Sequence, residues 1–263
     1  MPNKPITDPE AQQLLLEELK NLKGTTVEYL KLPKEVIRDI EPSQVGTIVG
    51  TIVDASLPQI ALEKNVGLFK ENGILKDREG YPDFKHSSGY RVELKGLFKP
   101  NPDVELKVTS TPREPSSRLT QKVTIKNVDP DRDALLLAVY QMEKNDDDTY
   151  SPTIVDIGIF PVIECIKARD KRMEECGGRW FGDYETPTIL SKCGKQKEKE
   201  NLPLNCERYG RKESEGCDYN EDTNFGKLQR IPYKPLQDFL KKHTSRSRSK
   251  KSLLDDACSL EDE

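Results

Sequence analysis

The stretch whose reading decides the fold is Tyr81-Pro82-Asp83-Phe84-Lys85-His86-Ser87-Ser88-Gly89-Tyr90-Arg91-Val92-Glu93-Leu94-Lys95-Gly96-Leu97-Phe98. From residue 90 onward apolar and polar residues alternate, the period of a strand, and the polar run from Lys85 to Gly89 predicts a turn before it. Glu93 and Lys95 are two apart, so a strand puts them on one face together with Arg91, while Val92 and Leu94 point toward a core. Nine residues separate Asp83 from Glu93. The turn folds Asp83 back beside Glu93, and two carboxylates and an ammonium converge at one sheet edge.

Outward from this strand, helices precede and buried strands follow. Residues 7–23 read as a helix, with Thr7 or Asp8 as cap, Pro9 in the first turn, an apolar stripe of Leu14, Leu15, Leu16, Leu19 and Leu22, and Gly24 as its stop. A second helix is predicted over 42–55, with Val45, Ile48, Val49, Ile52 and Val53 on one face and Thr47, Thr51 and Asp54 on the other. Residues 103–109 alternate like another strand. The nearly continuous apolar run 134–142 predicts a strand buried on both faces, and 153–160 its neighbour. A helix follows over 161–175, ended by Cys176-Gly177-Gly178, with Arg179-Trp180 supplying a packing aromatic. Residues 176–231 show no clear pattern, 235–242 resembles a short helix, and 244–263 reads as a disordered charged tail. The class is α/β, with a single domain over 1–243 and its core over roughly 40–175.

The chain has 263 residues, 34% hydrophobic and 33% charged, with a formal net charge of −4. This balance excludes a histone-like, non-specific coater of nucleic acid. Two histidines, His86 and His243, exclude a multi-histidine metal site. No apolar run approaches the ~18 residues of a membrane span, and the first residues lack the apolar stretch of a signal peptide. The six cysteines never form a CxxC pair and read as reduced thiols, which predicts a cytoplasmic protein. A zinc site from Cys176, Cys193, Cys206 and Cys217 lacks paired ligand spacing.

Chemistry follows from the converging charges. Two neighbouring carboxylates repel, and a hard divalent cation such as Mg²⁺ relieves that repulsion while keeping waters. Such a cation acidifies water and neutralises charge building on phosphate oxygens. Lys95 is suited to hold the attacking water or to stabilise developing negative charge. These parts suit metal-assisted phosphodiester hydrolysis. The bland alternative is a solvated strand face carrying an incidental Glu-x-Lys pair.

The residues Pro82-Asp83, followed by Val92-Glu93-Leu94-Lys95-Gly96, resemble the PD-(D/E)xK nuclease superfamily, most closely its type II restriction endonucleases. The run Asn127 to Asp133 leading into the buried strand is similar to sequence in those enzymes. The resemblance implies a central mixed β-sheet flanked by helices (a restriction-endonuclease-like core). It implies that Asp83 and Glu93 bind Mg²⁺ and that Lys95 is the catalytic lysine of a type II site-specific deoxyribonuclease acting on double-stranded DNA. Some family members add an acid from an upstream helix; Asp54 is the candidate, in competition with Glu28, Glu41 and Glu63. The resemblance further implies a homodimer and a cognate DNA methyltransferase working alongside.

A local basic footprint fits a DNA partner. Residues 85–126 hold nine Lys/Arg against four acids, and 127–149 hold seven acids against two bases, so the blocks cancel in the total. Arg113, Arg118 and Lys122 are candidate phosphate or base contacts, and Lys167 and Arg169, with Lys171 and Arg172, form a second strip on the 161–175 helix. His86 is expected exposed rather than catalytic, and Ser87 and Ser88 have no triad partner. The competing functions are a repair or junction-resolving nuclease, and a DNA-binding protein without catalysis.

Overall fold

The computed structural model describes residues 4–70, 81–105, 115–119, 123–182, 184, 186–205, 209–210, 218–222 and 224–243. Six strands make one mixed sheet: β1 (Leu32–Pro33), β2 (Leu68–Phe69), β3 (Phe84–His86), β4 (Arg91–Phe98), β5 (Asp133–Lys144) and β6 (Thr149–Pro161), in the order β1-β6-β5-β4-β3-β2. β4 and β5 run parallel over Arg91–Phe98 and Asp133–Tyr140, and the other pairs are antiparallel. The fold is therefore α/β, as expected.

Helices α1 (Pro9–Leu19), α2 (Lys34–Asp39) and α3 (Pro42–Glu63) precede the long strands, and α4 (Val162–Glu175) follows β6. Strand alternation divides the core in two. Val92, Leu94, Ala134 and Leu136 pack with α1 and α3, whereas Leu97, Leu135, Leu137 and Val139 pack with α4 and with α6 (Lys234–His243). The buried run 134–142 is covered on both faces, which is why it reads as continuous rather than alternating.

α1 begins where expected, its Asp8 side chain accepting from the Glu10 N–H at 2.8 Å, and it ends in a short 3-10 turn through Leu22. α3 overruns its expected end at residue 55 by two turns. Pro58 lies inside it and cannot donate to the carbonyl of Asp54. Burial of Leu57 just before the proline and of Ile60 and Ala61 beyond it offsets the lost bond. Ser43–Glu63 is long and apolar enough to cross a membrane by length and composition, with mean hydropathy 1.4. Here its apolar face, Val45, Val49, Val53 and Leu57, belongs to the core beside the sheet.

α4 ends at Gly177, whose φ of +69° is the left-handed stop predicted there. The unpatterned region after it forms a second, four-stranded sheet of β7 (Arg179–Phe181), β8 (Thr186–Leu190), β9 (Tyr209–Gly210) and β10 (Tyr219–Glu221), ordered β7-β8-β10-β9, with α5 (Lys192–Lys199) after β8. Its strands are two to five residues long, too short to show a period. The strand expected over 103–109 is not found in its described part: Val104 lies in a turn closed by its N–H to the Asn101 carbonyl, and 106–109 lie outside the described residues. The expected tail, 244–263, lies outside them too.

Cys176 is disulfide-bonded, so the reading of all six cysteines as reduced is corrected. A zinc site that needs its thiolate is excluded with it. Cys165 and Cys193 are free.

Candidate active site

β3 accompanies β4 for only two residue pairs, Phe84 with Val92 and Lys85 with Arg91. From Glu93 onward that edge of β4 has no strand partner among the described residues. Two side chains occupy its backbone groups instead. The Leu94 N–H donates to Asp83 Oδ2 at 2.7 Å, and the Gly96 carbonyl accepts from the Ser117 hydroxyl. Asp83 is thus anchored on the edge by the chain's departure from the sheet.

A cleft of about 420 Å³ opens along this edge. Asp83, Lys95 and Gly96 line it from the sheet side, Gly46, Thr47, Gly50, Thr51 and Asp54 from α3, and Ser117 and Tyr140 close it. The α3 residues recur at helical spacing, so one narrow stripe of small and polar side chains faces the cavity. The Thr47 and Thr51 hydroxyls bond back to carbonyls four residues earlier, which keeps them against the helix. A Cβ on Gly96 would meet the Tyr140 ring at 3.2 Å, so glycine after Lys95 lets the tyrosine lie against the strand.

Glu93 lies behind Lys95. Lys95 Nζ donates to Glu93 Oε1 at 2.5 Å and sits 3.9 Å from Asp83 Oδ2. Burial pushes the Glu93 carboxyl up to about 7, against the pull of the Lys95 ammonium, and the neighbouring Asp83 carboxyl adds to the rise. Burial also raises Asp83, opposed first by Lys95 and then by the Leu94 N–H. Burial works against the Lys95 charge, but Glu93 and Asp83 outweigh it and hold its pKa above the ordinary value. The second oxygen of Glu93 is buried with no hydrogen-bond partner among the described residues. A partnerless carboxylate oxygen beside a second carboxylate is a donor set for a cation. Two protein carboxylates suit Mg²⁺, which keeps several waters, and among the described residues no group of three or more His, Cys, Asp or Glu that could hold a metal occurs.

No family model, curated protein or solved structure matches this chain.

Several expected residues behave differently. Arg169 is 1% exposed and is no surface contact. Its guanidinium donates to the Leu119 and Val123 carbonyls at 3.3 and 3.0 Å and lies over the Phe225 and Trp180 rings. The apolar period of α4 turns position 169 inward, where its planar head gathers carbonyls and aromatics. Lys167 stands on the exposed side of α4, ion-paired to Glu164 at 3.0 Å. Arg118 follows the cleft residue Ser117 and forms a backbone bridge with Lys227. Arg113 and Lys122 lie outside the described residues. His86 is buried, not exposed, with its ring 3.0 Å from Glu18 Oε1.

Arg91 shares the strand but not the site. It forms a two-pronged ion pair with Asp133, at 2.5 Å through Nε and 2.8 Å through Nη2, and Asp133 also accepts from the Tyr81 hydroxyl and the Asp129 N–H. This buried clamp escaped the sequence reading, although Asp133 stood in the acidic run that opens β5. Asp54 does reach the cleft, where its Oδ2 meets Lys70 Nζ at 2.6 Å. Its position on the polar face of the helix was the available signal.

Proposed function

We propose that this chain is a Mg²⁺-dependent endodeoxyribonuclease of the PD-(D/E)xK type that hydrolyses phosphodiester bonds of double-stranded DNA, and specifically a type II restriction enzyme. One observation carries the reading: Asp83, Glu93 and Lys95 meet at the edge of β4 that has no strand partner among the described residues, beside an open cleft. A structural salt bridge would not need both carboxylates, an exposed route from solvent and a partnerless buried oxygen together.

In this reading Asp83 and Glu93 would hold the cation, with Asp54 as the further acid on the cleft wall. Mg²⁺ bound there supplies Lewis acidity toward water and phosphate oxygens. The chain's own residues do the rest. The Leu94 N–H fixes the Asp83 carboxylate in orientation. Glu93 holds the Lys95 ammonium with a raised pKa, so it stays charged at neutral pH, positioned for water and for developing phosphate charge. Tyr140 and the small α3 residues line the cleft of about 420 Å³ in which a sugar-phosphate backbone would lie.

The test is digestion of a mixed panel of duplex DNA in Mg²⁺, followed by sequencing of the ends. Discrete bands with constant end sequences are expected. Cuts only at junctions or lesions would move the reading to a repair nuclease, and no cleavage with intact DNA binding would replace it with a non-catalytic binding protein.

A further inference from the structure

We propose that Lys70 is a substrate-phosphate contact of this cleft, parked on Asp54 until DNA arrives. The inference deepens the nuclease reading and rests on it. Lys70 follows β2, and its ammonium sits 2.6 Å from Asp54 Oδ2 on the cleft wall and 5.6 Å from the centre of the Phe84 ring, next in sequence to Asp83. The site thus holds three carboxylates, Asp54, Asp83 and Glu93, and two ammoniums, Lys70 and Lys95.

The two lysines are placed for different work. Lys95 is locked on Glu93 and its side chain is 24% exposed. Lys70 is 50% exposed and Asp54 38%, so their ion pair is half in water, where such pairs are weak and exchange readily. Lysine carries its charge on a flexible four-carbon stem, which lets the ammonium swing without backbone movement. A phosphate entering the cleft offers Lys70 a partner of the same charge type as Asp54. Lys95 then serves the reacting phosphate and Lys70 a phosphate beside it.

The test is binding of a labelled random-sequence duplex in chelator over a salt series, with single-turnover cleavage in Mg²⁺ alongside. Lys70→Ala should weaken binding about tenfold, the scale of one charge-assisted hydrogen bond. It should also make the slope of log affinity against log salt shallower by about 0.9, one phosphate contact. Lys70→Arg should keep the slope. Lys144→Ala, an exposed lysine paired with Asp148, should leave it unchanged. Asp54→Asn should tighten binding more in the Lys70 background than beside Lys70→Ala, because only the former releases an ammonium. Wild-type protein that cuts DNA, with Lys70→Ala matching it in affinity and slope, overturns the role of Lys70 alone. Wild-type protein that neither binds nor cuts overturns the nuclease reading and this inference with it.

Discussion

The ionised form of Glu93 leans on Lys95: burial drives its pKa up to about 7, and the Lys95 ammonium pulls the other way. Replacing it with glutamine keeps the shape and removes a charge that burial opposes, so Glu93→Gln should fold normally. Asp83→Asn keeps an oxygen for the Leu94 N–H. Both variants should lose cleavage while retaining DNA binding. Lys95→Ala should lose about 3–4 kcal/mol of transition-state stabilisation, a hundred- to thousandfold in rate by the scale of other electrostatic groups. Single-turnover cleavage over a Mg²⁺ series checks all three, and a near-normal rate for any one overturns the site assignment. Arg91 belongs to another account. Asp133 is 0% exposed, so Arg91→Ala leaves a carboxylate buried without its guanidinium. The expected cost is about 3–5 kcal/mol of stability, read by urea unfolding, with little change in rate per folded molecule.

Elements locate the site by where they stop pairing. β3 leaves β4 after two pairs, and the edge so exposed is where Asp83 docks. α3 supplies the opposite wall from Gly46 to Asp54, ahead of its own proline, and runs on past it. An interior proline costs about 3 kcal/mol against alanine, so Pro58→Ala should raise the melting temperature. An unchanged or lower value would show that the helix is shaped around the ring. At the other end of the molecule α6 docks on β6 through His243 Nε2, 2.9 Å from Asp156 Oδ2, with Phe239 against the imidazole. Burial lowers the His243 pKa in spite of Asp156. The unfolded chain therefore binds this proton more tightly, and stability should rise with pH as the ring deprotonates, levelling off above the unfolded value near 6.5. His243→Gln should flatten that rise in unfolding curves taken between about pH 5 and 7.

At the scale of the whole molecule, one chain carries one Asp-Glu-Lys set, and a duplex has two strands to cut. A two-fold dimer would supply the second set and match a palindromic site. Sedimentation should show a dimer with DNA, and a monomer both free and bound would overturn the expectation. The segment that follows β10 is tied to the cleft side of the molecule by the Leu119 N–H to the Gly226 carbonyl and the Leu228 N–H to the Ser117 carbonyl. Arg169 bonds the same segment from α4.

The long elements and the Asp83, Glu93 and Lys95 cluster were legible because their signals are local. Alternation in 90–98, the apolar run 134–142 and the helical stripe of 42–55 each report which faces meet a core, whatever the rest of the chain does. The strand period alone set Glu93 beside Lys95. Other features depend on partners far along the chain, and only the tertiary structure decided them. The parallel pairing of β4 with β5 spans residues 99–132, and it determines which edge of β4 is open. Pro58 reads as a stop, yet burial of Leu57, Ile60 and Ala61 carries the helix through it. Arg169, His86 and Asp133 are polar by type, and their burial follows from partners at Leu119, Val123, Glu18 and the half-buried Arg91. A polar side chain is driven inside only when its hydrogen bonds can be met there, and that condition is written in the packing of distant segments rather than in any local run of residues.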